Sequence, residues 1–246
     1  MLLSAHQPVY LPWLGLFHKI AVANFFIIYD DVPYSRFGFY NRNTILGANG
    51  PMQLSVPVQR TKTEGPNHCD MKIANSGNWQ KKHWRSIQQA YQGFPHFDRY
   101  APALAEVYER RWERLADLNI SLLKLLLESL SIDTPMERAS EHEFDGTKSD
   151  RALDMSVKLG AEALLFGALG EQYARVEDYQ AAGIVPLFQN YVHPTYEQKG
   201  LRFRQNMSVI DLLFSNGPQA REILMSGNPT RADYLVEAGR LRRTWQ

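Results

Sequence analysis

The sequence predicts an α/β fold: a mainly parallel sheet that opens with a βαβ unit, has helices on both faces and is joined by a long central helix. Three observations carry this reading. The first thirty residues run as an apolar strand, a Pro-containing turn, a helix and a second apolar strand. The same rhythm of short apolar runs and amphipathic stretches returns after residue 150. Between them, Leu104, Tyr108, Trp112, Leu115, Leu118, Leu122, Leu126 and Leu130 recur every three or four positions, the spacing of one wide helical face.

Each element follows from local chemistry. Residues 2–5 are short and apolar and suit a buried strand. The turn His6-Gln-Pro8-Val-Tyr10-Leu-Pro12 follows, with two prolines fixing its backbone. Trp13 to Asn24 places Leu14, Phe17, Ile20 and Ala21 at helical spacing, and Phe25 to Tyr29 is again of strand length. Strand, helix and strand in so short a space imply a parallel crossover with both sheet faces covered. Residues 33–50 are polar and aromatic and read as an irregular segment or hairpin, and Leu54–Val58 as a strand that Pro57 places at an edge or strand end. Residues 60–69 read as a surface loop, and Trp79 to Tyr91 as an amphipathic helix. In the second half the predicted helices are Ser149–Leu159, capped by Ser149 or Asp150, then Val176–Ala182, Met207–Phe214 and Gln219–Ser226. The predicted strands are 163–166 and 184–188, and the basic tail Arg240–Gln246 is expected to fray. The expected organisation is one α/β domain over 1–246, with a possible subdivision into 1–132 and 133–246.

Composition narrows the function classes. Hydrophobic residues are 44% and charged residues 22%, which is ordinary globular usage. Lys+Arg is 27 against Asp+Glu 26, a formal net charge of +1, so there is no global basic field and no nucleic acid partner is expected. Cys69 alone cannot form an internal disulfide, and with one cysteine a structural zinc site is not expected. The start lacks a basic region and a long apolar run, so it does not read as a signal peptide. The greasiest stretch, Ile120–Ile132, carries Lys124 and Glu128 and is too short for a membrane span. The expectation is a cytoplasmic protein.

The most specific stretch is His6-Gln7-Pro8-Val9-Tyr10-Leu11-Pro12-Trp13-Leu14-Gly15. It falls past the carboxyl end of the first strand and at a helix N-terminus, where α/β sheets place ligands and where free N–H groups suit an anion. Asp30-Asp31 ends the second strand, and one of the two carboxylates can face a cleft as a ligand for Mg²⁺ or an amine; the pair also suits a turn. Asn41-Arg42-Asn43 flanks a guanidinium with two amides, a fork for phosphate or carboxylate. Trp79 and His83 share a helix face, while Lys81 and Lys82 at that helix's N-terminal end are unfavourably placed unless an anion is near. Lys199, Arg202 and Arg204 precede a helix start that Asn206 or Ser208 can cap.

These motifs resemble the WbqC-like protein family. The matching residues are His6–Gly15 with Lys19-Ile20, Asp30-Asp31-Val32, Asn41-Arg42-Asn43, Leu54–Pro57, Trp79–Trp84 with Tyr91, and Ser208–Phe214. One departure is Phe166-Gly-Ala-Leu-Gly170, where the family carries a Gly-Pro-Gly-Gly-type turn. The resemblance implies a role in O-antigen or other surface-polysaccharide biosynthesis, as a transferase or amide-forming ligase that adds glycine or an acyl group to an amino sugar. The implied partner is a small molecule: an amino sugar, a nucleotide sugar or an amino acid. The opening is also similar to nucleotidyltransferases and ligases of the HxGH type, with Tyr10 and Trp13 at the histidine positions, which implies ATP or another nucleotide with Mg²⁺. On that basis His6, Tyr10, Trp13 and His83 are the expected catalytic residues. Gln7, Lys19, Asp31, Asn41, Arg42, Asn43, Lys82, Lys199 and Ser208 are expected to bind substrate, and no resident metal is expected. A nucleotidyltransferase proper and a non-catalytic sugar-nucleotide-binding protein are the alternatives.

Overall fold

The computed structural model describes residues 1–59, 65–198 and 202–245. Five strands form the main sheet: β1 (Leu2–His6), β2 (Phe25–Ile28), β5 (Met136–Arg138), β6 (Ala163–Phe166) and β7 (Val185–Phe188). Their order is β5-β2-β1-β6-β7 and every pairing is parallel. A two-stranded antiparallel hairpin, β3 (Arg42–Gly47) and β4 (Gly50–Ser55), stands apart.

The alternation of side chains explains why both faces are covered. Leu2, Phe26, Ile28, Leu165, Val185 and Leu187 point to one face and Leu3, Ile27, Leu164 and Phe166 to the other. On the first face lie α1 (Leu14–Val22) and α9 (Arg231–Arg243). The second face is covered by α5 (Lys148–Lys158) and α6 (Val176–Ala181). A further apolar layer packs outside α1 from α2 (Trp79–Tyr91), α3 (Phe97–Glu109), α4 (Leu115–Ser129), α7 (Val209–Asn216) and α8 (Ala220–Met225).

Counted in chain order, the sheet strands run 3-2-1-4-5. The chain therefore builds outward from β1 through β2 to β5, then crosses back to β6 and builds the other way. The direction reverses between β1 and β6, and in doubly wound sheets the crevice at such a reversal, outside the carboxyl ends of those strands, is the ligand position.

Several sequence expectations are corrected. The long central helical stretch, for which the sequence allowed one break, is broken into α3 and α4 at residues 110–114, where the backbone N–H of Ile73 donates to Glu113 O and that of Leu115 to Met71 O. β5 was not expected, and the frayed tail is instead helix α9 through Arg243. The strand expected at Leu54–Val58 ends at Ser55 as half of the hairpin. The cap expected from Ser149 or Asp150 falls inside α5, whose N-cap position is Thr147.

Candidate functional site

The crevice is built first from β1. The strand ends at His6, whose Nδ1 lies 2.8 Å from the carbonyl oxygen of Gln7. That oxygen only accepts, so Nδ1 carries the proton and the neutral ring presents Nε2 as a lone pair. Burial, and then the nearby Lys19 ammonium, hold the His6 pKa down at about 3. Lys19 comes from α1 and is 2% exposed. Its ammonium donates to Ala5 O at 2.8 Å, and among the described residues no carboxylate pairs with it. Burial lowers its pKa to about 7. The ring of His68 is also felt by His6; it is buried, and its Nε2 has no partner. Burial pushes the His68 pKa down to about 4, against the pull of Asp30.

Two walls rise around this cluster. On one side Tyr40 meets His68 edge-on, with ring centroids 4.4 Å apart, and Tyr34 packs on both. Arg42 lies over the Phe39 ring at 5.3 Å and donates to Arg36 O and Phe37 O, both at 3.3 Å. Phe37 and Phe39 are exposed beside it. The other wall is the turn after β6, Ala168–Gln172, and Tyr173. A side chain at Gly170 would fall 2.4 Å from Phe166 Cβ, so only glycine lets this turn close over the strand end. Tyr173 meets Phe166 edge-on, with ring centroids 5.9 Å apart. At the end of β2, Asp30 is fully buried and spoken for by Arg138 Nε at 2.7 Å and by the Ser140 N and Oγ at 3.0 Å. Asp31 pairs with Arg151 through one oxygen, while its other oxygen and the Tyr29 hydroxyl are buried without a partner. Both carboxylates thus meet arginines. Among the described residues no cluster of three His, Cys, Asp or Glu side chains could hold a metal ion.

The remaining expected site residues lie elsewhere or serve the fold. Tyr10 and His83 meet, but in the helical layer: the Tyr10 hydroxyl bonds Tyr108 OH at 2.5 Å and His83 Nδ1 at 2.9 Å, and Tyr10 is 0% exposed. Its hydroxyl is therefore not presented to a phosphate, which corrects the expected role. Trp13 folds back across Gly15 and meets Tyr191 edge-on, so it roofs the first turn of α1, where an anion was expected. Asn43 spends its amide on Leu11 O at 2.7 Å and Tyr10 O at 3.4 Å, holding Leu11 at a left-handed φ of 44°. Asn41 bonds Val56 O at 2.8 Å. Ser208 is buried, its N–H bonds Thr44 O at 2.8 Å, and its hydroxyl makes no helix cap. Lys82 is exposed on α2, and Gln7 is half-buried with its carbonyl on His6. Lys199 lies outside the described residues. The Cys69 thiol is pushed up to about 11 by burial and by Asp70, which leaves it protonated and unreactive.

The sequence matches the WbqC-like protein family over residues 7–223. The chain belongs to the WbqC-like protein family. An uncharacterized protein of Mycobacterium tuberculosis is 30% identical over 222 residues, covering 89% of this chain and 95% of that one. No solved structure matches the chain.

Within this WbqC-like fold, His6 and Lys19 lie together at the end of β1 with His68 beside them and Tyr40 packed on His68; sequence reasoning singled out neither His68 nor Tyr40. His68 stands in a stretch read as a loop, next to Cys69, and nothing in its spacing ties it to His6. An open depression of about 530 Å³ lies near Lys124, Ser131 and Met136, where strand β5 begins, and holds no comparable chemistry.

Proposed function

We propose that this WbqC-like protein is a transferase of surface-polysaccharide assembly that forms an amide on an amino sugar at the β1 and β6 ends, a nucleotide activating the glycyl or acyl carboxyl group and its phosphate-bearing part leaving as the C–N bond forms. The observation that carries this reading is the His6 ring. Its Nδ1–H is tied to Gln7 O, so Nε2 points away as a base beside an ammonium that lacks a counter-charge. An amine must lose a proton as it becomes an amide, and a neutral imidazole is the group for that task. The low His6 pKa follows from burial and from Lys19; an anion that neutralises Lys19 removes one of these causes and strengthens the base. Asp31 Oδ1 and the Tyr29 hydroxyl, both unpartnered, offer polar contacts for sugar hydroxyls or an amine. Arg42 and the Phe37–Tyr40 segment supply a guanidinium and stacking rings for a nucleotide-bearing substrate.

A nucleotidyltransferase is the second reading, and the 3-2-1-4-5 strand order favours it, since nucleotides bind at such switch points. A thermal-shift screen of nucleotides, sugar nucleotides and amino acids, followed by product analysis of the hits, separates the two. Amide product formed with wild-type protein and reduced at least about 100-fold in His6→Gln is the expected result. Pyrophosphate release driven by a sugar phosphate, with no amide, would select the second reading. Tight binding without turnover would leave a binding protein.

A further inference from the structure

Resting on the reading of the crevice as the ligand site, we infer that Lys19, with His68, forms a recognition site for the carboxylate of the acyl or amino-acid substrate. The geometry gives three reasons. Lys19 keeps 2% of its surface exposed yet has one hydrogen-bond acceptor, Ala5 O, for three N–H donors. A buried ammonium is costly unless something compensates it, and no described residue supplies a negative charge. His68, also 2% exposed, leaves Nε2 without a partner in the same neighbourhood, and His6 senses both groups. Two independent polar groups, each buried and each short of a partner, describe a ligand's place rather than a finished core.

The charge count selects the ligand class. One ammonium balances a monoanion. A phosphate monoester at neutral pH brings more charge than Lys19 can meet, whereas a carboxylate brings one charge and two oxygens that fit two donors. His68 Nε2 serves as the second donor in its Nε2–H tautomer. Lys19 sits against Ala5 O beside His6 at the end of β1, and the turn carrying His68 is tied to the end of the neighbouring strand β2 through Cys69 N–H to Asp30 O at 2.8 Å and His68 N–H to Val32 O at 3.0 Å; the Asp30 charge is already met by Arg138. Carboxylate binding then completes the ion pair and draws a proton onto Lys19 when the solution is above neutrality.

The test titrates the full chain with glycine and with acetate, and in a parallel arm with inorganic phosphate, by calorimetry in two buffers of different ionisation enthalpy. Acetate or glycine is expected to bind with uptake of roughly half to one proton at pH 8. Lys19→Met is expected to lose at least about tenfold in carboxylate affinity while its Tm rises by roughly 3–6 °C, because the cost of burying an amine that is charged in the unfolded chain is gone. His68→Leu is expected to weaken the same binding without abolishing it. Binding of phosphate but neither carboxylate overturns the inference, as does carboxylate binding without proton uptake, or with equal affinity in Lys19→Met. If Lys19→Met does not fold, the proton uptake of the wild type and the His68→Leu affinity decide. Amide formation that persists while carboxylates fail to bind at Lys19 would remove this inference and leave the transferase reading in place.

Discussion

His6, His68 and His83 are the histidines whose pKa burial pushes down furthest, with His18 lowered in the same direction, and their chemistry contributes to acid stability. His6 is held at about 3, His68 and His83 at about 4, each by burial first, against 6.5 for an exposed imidazole. As pH falls below 6.5, the unfolded chain takes up these protons before the folded one. Stability is therefore full above pH 6.5 and is lost as pH falls from there toward 4. Urea midpoints measured from pH 7.5 to 4.5 are expected to show that decline, and His83→Gln is expected to flatten it. The Tyr10 hydroxyl holds two of the same core's polar atoms, His83 Nδ1 and Tyr108 OH. Tyr10→Phe leaves both short of a partner and is expected to cost about 1–3 kcal/mol in denaturant unfolding, with no change in ligand affinity. The contrast with Lys19 is instructive: Tyr10 is a polar group the fold has satisfied, and Lys19 one it has not. The sequence offers no means of telling these apart, since both belong to one motif and only the third dimension supplies Tyr108 and withholds a carboxylate.

The elements read best from sequence were those whose apolar pattern is local. β1, α1 and β2 stand within two residues of their expected bounds because the strands are continuous apolar runs and the helix keeps its spacing. α9 was missed because Arg240, Arg242 and Arg243 look like a solvated tail. Yet Tyr234, Ala238, Leu241 and Trp245 recur at helical intervals, and they cover Leu2, Leu165 and Val185. The helix is capped by Thr230, whose hydroxyl accepts from Asp233 N and whose N–H is bonded by the Asp233 carboxylate. Thr230→Ala is expected to cost about 1 kcal/mol. Deleting residues from Arg231 onward is expected to give insoluble protein, measured by soluble yield, because it bares that sheet face. β5 had no apolar signature; its place beside β2 is fixed by the Arg138–Asp30 ion pair, a contact between residues far apart in the chain. Helix α7 likewise depends on a distant network: Asp211 accepts from Tyr91, Tyr196 and Gln198 at 3.0, 2.8 and 2.8 Å. Asp211→Ala leaves the buried Tyr91 and Tyr196 hydroxyls without their acceptor and Gln198 with Arg204 O as its near acceptor, and is expected to destabilise the protein by on the order of 3 kcal/mol in urea unfolding.

The molecule as a whole couples these parts through the β1–α1 connection. Residues 9–11 dive into the helical layer, where Asn119 holds Pro8 O and Tyr40 O and Asn43 holds Leu11 O. The same connection carries His6 and Gln7 at the end of β1, so residues that read as one motif divide between the helical core, as Tyr10 does, and the strand end where the site is proposed. Among the described residues no helix is long and apolar enough to cross a membrane. We propose that the whole chain is one cooperative unit, because the largest core joins residues from Val9 to Leu224 without interruption. Tryptophan fluorescence and far-UV circular dichroism are then expected to report the same urea midpoint, and two separated transitions would indicate independent halves. The crevice itself is best probed by hydrogen–deuterium exchange of the full chain with and without the strongest hit of the ligand screen. Slowed exchange is expected in residues 5–8, 36–42 and 167–173, which surround His6 and Lys19. Protection confined to residues 79–84, or to the depression at residues 124–136, with the β1 and β6 ends unchanged, would contradict the placement of the site.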